Sequence, residues 1–552
     1  MTLVPALEFA DLDVWFDERG GARDAEQIHT VKGLSLRVDA GERVGLVGES
    51  GCGKTTTILA AMGLLPASAT VGGAILLDGV NVIERGEASI RPHRWKDIAM
   101  VFQGAMSAFN PVKTVGWQIV EALEFHGVAH GRAARTRAGE LLELVGLPAE
   151  SASRFPHQFS GGMKQRAVIA MALSCDPRVL LADEPTTALD VVVQNQILEL
   201  LARVSTELGL ALVLVTHDLG VVAQTCTRAA VMRAGEIVEV GSVEDLYRRP
   251  QHPYTRQLFA ATPDLADLAA PASAELAPTE PERQPAPLLE VSDLTVVYDQ
   301  GRRRPVAPAV NEVSLRVDEG ELVALVGQSG CGKTSTLQAI LGMERAESGS
   351  IRIDGTDVVG LSQRRWRPLR RDVQMIYQDP YESLDSRFNV EDSVEEGLLV
   401  HRIGANAAER RARVREALGD VGLDADVFAE RYPHELSGGQ RQRVAIAASL
   451  ALRPRLLLAD EPVSMLDVSV RTGILELLDR LRHEHRMGIL MITHDLSTAA
   501  KYADRIIVMK DARIEESGTP WQIVRHPASA YTQRLLDSIP SPDPSVRSAA
   551  SA

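Results

Sequence analysis

The stretch GESGCGKT, Gly48–Thr55, lies between an apolar run that ends at Val47 and a segment of helical character. It matches the phosphate-binding loop pattern, in which two glycines separated by four residues precede Lys-Thr. Glycines let backbone N–H groups curve around phosphate oxygens without a Cβ in the way, and the following helix directs its positive end at them. The stretch GQSGCGKT, Gly327–Thr334, repeats the pattern. The sequence therefore predicts two sites for nucleotide phosphates.

The whole chain repeats around these two loops. PHQFSGGMKQR at Pro156–Arg166 returns as PHELSGGQRQR at Pro433–Arg443, and LLADEP at Leu180–Pro185 returns at Leu457–Pro462. An offset of 277 residues in the same order is too long for a solenoid and indicates a duplicated domain. We predict a first domain at 1–266, a flexible Ala/Pro/Glu-rich linker at 267–287, a second domain at 288–539 and a disordered tail at 540–552.

Composition narrows the class of protein. A chain of 552 residues with 45% hydrophobic and 24% charged residues is typical of a soluble globular protein with at least two domains. No apolar run approaches the roughly 20 residues of a membrane-spanning helix, and no secretory leader is present at the N-terminus. The net charge of −15 weighs against a general nucleic-acid binder. The four cysteines show no C-x-x-C spacing, so neither zinc nor disulfides are implied, and a reducing cytoplasm fits.

Each copy alternates short buried-strand patterns with helical segments. ERVGLVG, RVLLAD and ALVLVTHD in the first copy correspond to ELVALVG, RLLLAD and GILMITHD in the second. This alternation favours an α/β domain with a mainly parallel sheet. Residues 120–145 and 394–421 are helix-rich with mixed charge, which suggests a helical subdomain in each copy.

The lysine and threonine of each loop have distinct expected roles. Lys54 and Lys333 should pair with the β- and γ-phosphates of the nucleotide. Thr55 and Thr334 should each place a hydroxyl on Mg²⁺.

An acidic pair ends an apolar strand in each copy. Asp183 and Asp460 stand where a sheet delivers residues to a ligand, and a carboxylate there can hold Mg²⁺. Glu184 and Glu461 follow directly and could polarise the attacking water. A solvated strand end is the weaker interpretation, because burying two adjacent acids without a cation is costly.

The stretches FSGGM at 159–163 and LSGGQ at 436–440 complete a family resemblance. The chain resembles an ABC-type ATPase with two tandem P-loop nucleotide-binding domains. That resemblance implies, in each domain, a mainly parallel sheet core, a helical subdomain and an N-terminal antiparallel β part. Physically, Ser-Gly-Gly opens a helix whose free N–H groups form an anion site. The resemblance further implies that each such site meets the γ-phosphate held by the other domain, as an intramolecular pseudo-dimer, so that Lys54 should work with Ser437 and Lys333 with Ser160.

The resemblance extends to further positions. It implies that Gln103 and Gln378 bind Mg²⁺ and sense the membrane partner, that His217 and His494 contact the γ-phosphate, and that Phe16 and Tyr298 stack on adenine. The catalytic residues expected are Glu184, Glu461, His217 and His494, and the Mg²⁺ ligands expected are Thr55, Gln103, Asp183, Thr334, Gln378 and Asp460. The residues expected to bind ATP are, in the first domain, Phe16, Gly48, Ser50, Gly51, Gly53, Lys54, Thr55, Thr56, Gln103, Ser160, Gly161, Gly162 and Asp190, and, in the second, Tyr298, Gly327, Ser329, Gly330, Gly332, Lys333, Thr334, Ser335, Gln378, Ser437, Gly438, Gly439, Gln440 and Asp467.

Three residues depart from the family pattern without removing a catalytic group. Met163 replaces the commonest glutamine, Phe16 replaces a tyrosine, and Met465 is bulkier than the usual small residue. Both sites are therefore expected to hydrolyse ATP. Cys52 and Cys331 inside the loops are read as small loop residues, with an oxidation switch as the alternative.

The stretches FQGAMSAFNPV, YQDPYESLD, HPYTRQLFAATP and HPASAYTQRLLDSIP resemble the oligopeptide/dipeptide (peptide/nickel) permease branch. The resemblance implies an ATP-hydrolysing subunit, a translocase, that energises peptide import. It would lie peripherally at the cytoplasmic face of the membrane, with two integral-membrane permease subunits and an extracytoplasmic solute-binding protein as partners and no nucleic acid. Phe109 and Tyr381 are candidate permease contacts, with core filling nearly as plausible. A soluble tandem ATPase acting on ribosomes or DNA, or the ATPase of an exporter, is the alternative.

Overall fold

The chain divides into two compact units, one formed by Met1–Thr262 with Pro540–Ala552 and the other by Pro263–Ile539. The computed structural model describes residues 4–17, 27–104, 108–187, 189–262, 265, 268, 287–298, 307–379, 383–464, 466 and 468–546. The predicted duplication is visible in the strands, because each unit contains a four-stranded and a six-stranded sheet with equivalent strand orders. The first-unit strands are β1 Leu7–Asp17, β2 Gln27–Val38, β3 Arg43–Val47, β4 Ala69–Leu77, β5 Val80–Asn81, β6 Ile98–Val101, β7 Val179–Asp183, β8 Ala211–Thr216, β9 Arg228–Arg233 and β10 Glu236–Ser242. The second-unit strands are β11 Leu289–Val296, β12 Val310–Val317, β13 Leu322–Gly327, β14 Ser348–Ile353, β15 Thr356–Asp357, β16 Val373–Ile376, β17 Leu456–Asp460, β18 Gly488–Thr493, β19 Arg505–Lys510 and β20 Arg513–Gly518.

The sequence predicts a disordered tail from residue 540, but the described part of this segment, residues 540–546, is ordered. Its described part contains a 3-10 turn at Pro544–Val546, and the Pro540 carbonyl lies against Gly220 of the first unit. A Cβ on Gly220 would be 2.5 Å from that oxygen, so the missing side chain permits the contact. The segment 540–546 therefore belongs to the first unit.

The small sheet of each unit is antiparallel and has one buried face. Its strand order is β2-β1-β4-β5 in the first unit and β12-β11-β14-β15 in the second. Apolar residues alternate along the long first strand, with Leu7, Phe9, Leu12 and Val14 buried, which is the pattern of a sheet packed on one side. This sheet is the N-terminal antiparallel part that the family resemblance implied.

The large sheet of each unit is parallel except at one edge. Its order is β10-β9-β3-β8-β7-β6 in the first unit and β16-β17-β18-β13-β19-β20 in the second, and only the pairs β9–β10 and β19–β20 are antiparallel. All residues of β7, β8, β17 and β18 are buried, as expected for strands covered on both faces.

Helices cover the large sheet and form the predicted helical subdomain between β6 and β7, or between β16 and β17. The first-unit helices are Lys54–Met62, Glu87–Ile90, Val115–Phe125, Gly131–Leu144, Gly161–Ala172, Val191–Leu208, Leu219–Thr225, Val243–Arg248 and Pro253–Ala261, with 3-10 turns at Ala149–Ser153 and Pro156–Gln158. The second-unit helices are Lys333–Ile340, Gln363–Asp372, Val390–His401, Ala407–Asp420, Ala425–Phe428, Gly438–Leu450, Val468–His485, Leu496–Tyr502, Pro520–Arg525 and Ala530–Asp537, with a 3-10 turn at Pro433–Glu435. Within the described ranges, every helix is too short or too polar to cross a bilayer.

Candidate nucleotide sites

The two phosphate loops follow β3 and β13 and need glycine for steric reasons. Gly53 and Gly332 each immediately precede a helix. Their φ angles are 103° and 104°, a conformation that residues with a Cβ rarely adopt. A Cβ on Gly48 would lie 2.2 Å from the carbonyl oxygen of Met232, and one on Gly327 would lie 2.3 Å from that of Met509. The loops are therefore packed closely against the neighbouring strands β9 and β19.

The lysine of each loop is buried and turned into the loop. Lys54 Nζ donates to the carbonyl oxygens of Gly48 and Glu49, both at 2.7 Å. Lys333 Nζ donates to Gly327 at 2.7 Å and to Gln328 at 3.0 Å. The ammonium groups thus lie inside the two loops predicted to hold phosphate.

A threonine and an aspartate meet beside each loop. Thr55 Oγ1 donates to Asp183 Oδ1 at 3.1 Å, and Thr334 Oγ1 donates to Asp460 Oδ1 at 3.5 Å. Burial raises the pKa of Asp183 to about 6 and also raises the pKa of Asp460. Because burial penalises the charged carboxylate, a cation beside it would offset that cost. Oxygen donors of this kind suit Mg²⁺, so the residues fit the ion.

Within the described ranges, no group of three or more His, Cys, Asp and Glu side chains is placed to hold a metal ion by itself.

Glu184 lies at the centre of a hydrogen-bond network in the first unit. His217 Nδ1 is 2.8 Å from its Oε1, Gln103 Nε2 donates to its Oε2 at 2.7 Å, and Thr187 Oγ1 donates to Oε2 at 3.0 Å. Its backbone φ is 42°, a conformation uncommon for a residue other than glycine and frequent at functional sites. The structure therefore brings together three residues, Glu184, His217 and Gln103, that the sequence only predicted to share a site.

Glu461 repeats this arrangement in the second unit. His494 Nδ1 lies 3.2 Å from its Oε2, Gln378 Nε2 donates to Oε2 at 3.0 Å, and its φ is 45°. Burial alone would raise the pKa of each glutamate, but the neighbouring histidine, the other hydrogen-bond donors and the loop lysine together outweigh it, so the pKa of each lies below its usual value. An ionised carboxylate at this position can accept a proton from water.

The serine of each Ser-Gly-Gly stretch is the N-cap of a helix. Ser160 Oγ accepts from the Met163 N–H at 3.3 Å, and Ser437 Oγ accepts from the Gln440 N–H at 3.3 Å. In the second unit Gln440 Oε1 also accepts from the Ser437 N–H at 3.0 Å, which completes a capping box. Methionine at 163 has no acceptor for this bond, so the two helix starts differ.

The second glycine of each stretch packs against the neighbouring long helix. A Cβ on Gly162 would lie 2.4 Å from Val193 Cγ1, and one on Gly439 would lie 2.5 Å from Val470 Cγ1. The other predicted glycines, Gly161 and Gly438, begin the two helices.

The remaining predicted residues have varied surroundings. Asp190 is the N-cap of helix Val191–Leu208 and accepts from the Val193 N–H at 3.1 Å. Phe16 pairs with Ala69 and Ile28 and packs against the core at the end of β1. The Tyr298 hydroxyl lies 3.0 Å from Ser335 Oγ, next to the second loop. Ser50, Gly51, Thr56, Ser329 and Gly330 lie in the loops or in the first turn after them, whereas Asp467 and Met465 lie outside the described residues.

Burial bears on two predictions that left alternatives open. Phe109 is only 5% exposed and belongs to the core of the first unit, so it fills the core and is not an exposed contact; Tyr381 lies outside the described residues. All four cysteines are buried, and none of them forms a disulfide bond. Burial raises the pKa of the Cys331 thiol, which disfavours the thiolate that an oxidation switch requires.

Three residues next to these sites, Thr187, Tyr254 and Tyr531, were not predicted from the sequence. Thr187 donates to Glu184, as described above. Tyr254 and Tyr531 each contact a phosphate loop through their hydroxyl groups. The signal was present in the sequence, because both tyrosines precede threonine and are 277 residues apart, the offset of the other repeated positions.

Two family profiles each match the chain twice. The profile described as ABC transporter matches residues 31–187 and 310–464. The profile described as the C-terminal region of oligopeptide/dipeptide transporters matches residues 238–287 and 516–551. The chain therefore belongs to the ABC transporter family and is an ATPase that uses ATP with Mg²⁺, with tandem nucleotide-binding domains.

Relatives of this chain include ATP-binding proteins of glutathione import and of oligopeptide transport. The glutathione import ATP-binding protein GsiA of Pectobacterium atrosepticum is 41% identical over 574 residues, which cover 98% of this chain and 90% of that protein. The oligopeptide transport ATP-binding protein OppD of Mycobacterium tuberculosis is 40% identical over 617 residues, which cover 98% of this chain and 100% of that protein. Among solved structures, the dimeric ATP-binding cassette MJ0796 bound to ADP and Pi is 32% identical with a TM-score of 0.39, covering 42% of this chain and 98% of that one.

Proposed function

We propose that this chain is the ATP-hydrolysing subunit of an importer of di- and oligopeptides. It binds two integral-membrane permease subunits, receives solute through an extracytoplasmic binding protein, and lies peripherally at the cytoplasmic face of the membrane. The observation that carries this proposal is the double match to the C-terminal region of oligopeptide/dipeptide transporters, one after each ATPase domain. The names of the relatives, which concern oligopeptides and glutathione, itself a tripeptide, point in the same direction.

Hydrolysis in the first unit proceeds through Glu184. The carboxylate accepts a proton from a water molecule while the water oxygen forms a bond to the γ-phosphorus and the bond from that phosphorus to the β–γ bridging oxygen breaks. ADP and inorganic phosphate are the products. His217 holds the carboxylate in place and contacts the γ-phosphate, and Lys54 stabilises the charge of the β- and γ-phosphates. Glu461, His494 and Lys333 act in the same way in the second unit.

Mg²⁺, when bound, neutralises the phosphate charge and orients the γ-phosphate. Thr55, Asp183 and Gln103 would hold it in the first unit, and Thr334, Asp460 and Gln378 in the second. In keeping with the family resemblance, Ser437 completes the Lys54 site and Ser160 completes the Lys333 site. ATP binding therefore favours closure of the two domains, and this closure drives the permeases.

The permease surface lies on the helical subdomain near each glutamine. In the first unit Phe102 follows β6 directly and is 42% exposed, while Val112 and Phe125 are 74% and 76% exposed. Large apolar side chains that are exposed to solvent near the glutamine are candidates for a protein–protein contact. In the second unit the corresponding exposed residues include Tyr377, Leu399 and Val400.

The test is purification of the chain from membranes, followed by ATPase assays of the complex with candidate solutes. We expect two permease subunits to co-purify and a di- or oligopeptide, delivered by the binding protein, to stimulate ATP hydrolysis. Stimulation by nickel but by no peptide would contradict the substrate class. Recovery with ribosomes and without permeases would contradict the importer itself.

A further inference from the structure

Each C-terminal region places a tyrosine hydroxyl on the backbone of a phosphate loop. The Glu49 N–H donates to Tyr254 Oη at 3.2 Å, and the Gln328 N–H donates to Tyr531 Oη at 3.2 Å. Glu49 and Gln328 are the second residues of their loops, and both tyrosines are 4% exposed. The same contact thus forms twice, in two units of different sequence.

In the first unit, the tyrosine is fixed by the segment that follows β10. Glu239 accepts from the backbone N–H groups of Gln251 at 2.8 Å and His252 at 3.1 Å. His252 in turn caps the helix Pro253–Ala261, because its Nδ1 accepts from the Tyr254 N–H at 3.2 Å. The acidic side chain on β10 therefore ties down the helix start that carries Tyr254.

The second unit reaches the same result with different residues. Glu516 on β20 accepts from the N–H groups of Ala528 at 2.7 Å and Ser529 at 3.1 Å. Ser529 Oγ accepts from the Tyr531 N–H at 3.1 Å and caps the helix Ala530–Asp537. The capping residue has changed from histidine to serine, yet the tyrosine hydroxyl lies at the same distance from its loop.

A cation covers each tyrosine ring. The Arg233 guanidinium lies 4.9 Å from the Tyr254 ring centroid, and Lys510 Nζ lies 5.4 Å from that of Tyr531. Burial raises the pKa of Tyr254 to about 12, so its hydroxyl remains neutral at physiological pH. Packing, capping and the cation–π contact together hold each hydroxyl in one place.

The loop residue that each tyrosine contacts is held from its other side by the lysine of the same loop. Lys54 Nζ donates to the Glu49 carbonyl at 2.7 Å, and Lys333 Nζ donates to the Gln328 carbonyl at 3.0 Å. The second residue of each loop is therefore fixed at both its N–H and its C=O. Releasing the N–H would let this residue change conformation, and the lysine position would change with it.

We infer that Tyr254 and Tyr531 are positioning residues through which each C-terminal region holds its phosphate loop ready for ATP. A loop that is already ordered loses less conformational entropy when it binds the triphosphate. The C-terminal regions would thereby contribute to nucleotide affinity.

The test is the double variant Tyr254→Phe with Tyr531→Phe in the full chain, which removes only the two hydroxyl groups. The Kd of mant-ATP, a fluorescent ATP analogue, is measured by titration in EDTA, and KM and kcat for ATP are measured with Mg²⁺. We expect Kd and KM to rise about fivefold, the factor that one hydrogen bond of ordinary strength is worth, while kcat changes less than twofold. A role confined to general stability would lower the melting temperature without raising Kd.

The matched control is Tyr502→Phe. Tyr502 also lies beside a lysine, with Lys501 Nζ 5.2 Å from its ring, but its buried hydroxyl has no hydrogen-bond partner in the described part of the chain. This variant should keep the wild-type Kd. A double-variant Kd within twofold of wild type, or an equal rise in Tyr502→Phe, would overturn the inference.

The single variants Tyr254→Phe and Tyr531→Phe keep the test decisive if the double variant does not fold. Each should show two classes of mant-ATP sites that differ about fivefold in Kd, because one loop keeps its tyrosine. A single class with wild-type affinity in both would overturn the inference. These titrations need neither permease nor peptide, so their outcome is independent of the proposed import function.

Discussion

Replacing Gly439 by alanine tests whether the start of helix Gly438–Leu450 is held at a fixed distance from helix Val468–His485. The new Cβ would lie 2.5 Å from Val470 Cγ1, whereas carbon atoms pack best at about 3.5–4.0 Å. The two helices must separate by about 1 Å or a side chain must leave its rotamer. Overpacking of this kind costs about 1–3 kcal/mol, and the better helix propensity of alanine returns up to about 1 kcal/mol. We expect a net loss of about 0–3 kcal/mol.

The matched control is Gly419→Ala, in helix Ala407–Asp420 of the same unit. A Cβ on Gly419 would have no atom within 4 Å, so only the propensity gain of up to about 1 kcal/mol remains. Amide hydrogen exchange followed by mass spectrometry measures the local opening free energy of each helix, which suits a chain with two units. The two variants should differ by about 1–3 kcal/mol.

A second substitution identifies the atom responsible. Val470→Ala removes the methyl group that the new Cβ would meet, so the double variant Gly439→Ala with Val470→Ala should lose less protection than the sum of the single variants. Equal stabilisation by Gly439→Ala and Gly419→Ala, or strict additivity with Val470→Ala, would refute the reasoning.

Two further predictions concern the Ser-Gly-Gly stretches. Gln440→Met removes the acceptor for the Ser437 N–H and should lower the local opening free energy of the helix start by about 1 kcal/mol; unchanged hydrogen exchange there would contradict the capping box. Ser437→Arg should damage hydrolysis at the Lys54 site rather than at the Lys333 site, which photo-crosslinking of trapped nucleotide can locate; the opposite pattern would rule out the proposed pairing of each serine with the other domain's site.

Much of the fold could be predicted because the sequence patterns that define it lie within short stretches of the chain. The glycine loops, the fully apolar parallel strands and the duplication are all encoded by short spacings that recur 277–279 residues apart. Glu184, His217 and Gln103 are far apart in sequence, yet their meeting was predictable in outline, since the carboxyl ends of parallel strands share one edge of the sheet.

The contacts that escaped prediction depend on tertiary packing. The 277-residue repeat marks Tyr254 and Tyr531 as equivalent positions. Tyr254 nevertheless reaches a backbone N–H 205 residues away, so no local spacing shows which group its hydroxyl contacts. Phe109 illustrates the converse, since its position after Gln103 suggested a partner contact although the side chain is needed in the core. The segment 540–546 was rich in Pro and Ser, yet it packs where Gly220 leaves room for it.

We propose that Glu184 and Glu461 drive the ATP hydrolysis that powers peptide import. Their role is tested most directly by uptake of a radiolabelled dipeptide into proteoliposomes containing the permeases, the binding protein and either wild-type chain or the double variant Glu184→Gln with Glu461→Gln. We predict that ATP hydrolysis falls about 10²–10⁴-fold and that uptake falls with it, while ATP binding persists. Wild-type hydrolysis in the double variant, or ATP-driven uptake that continues without hydrolysis, would contradict the account.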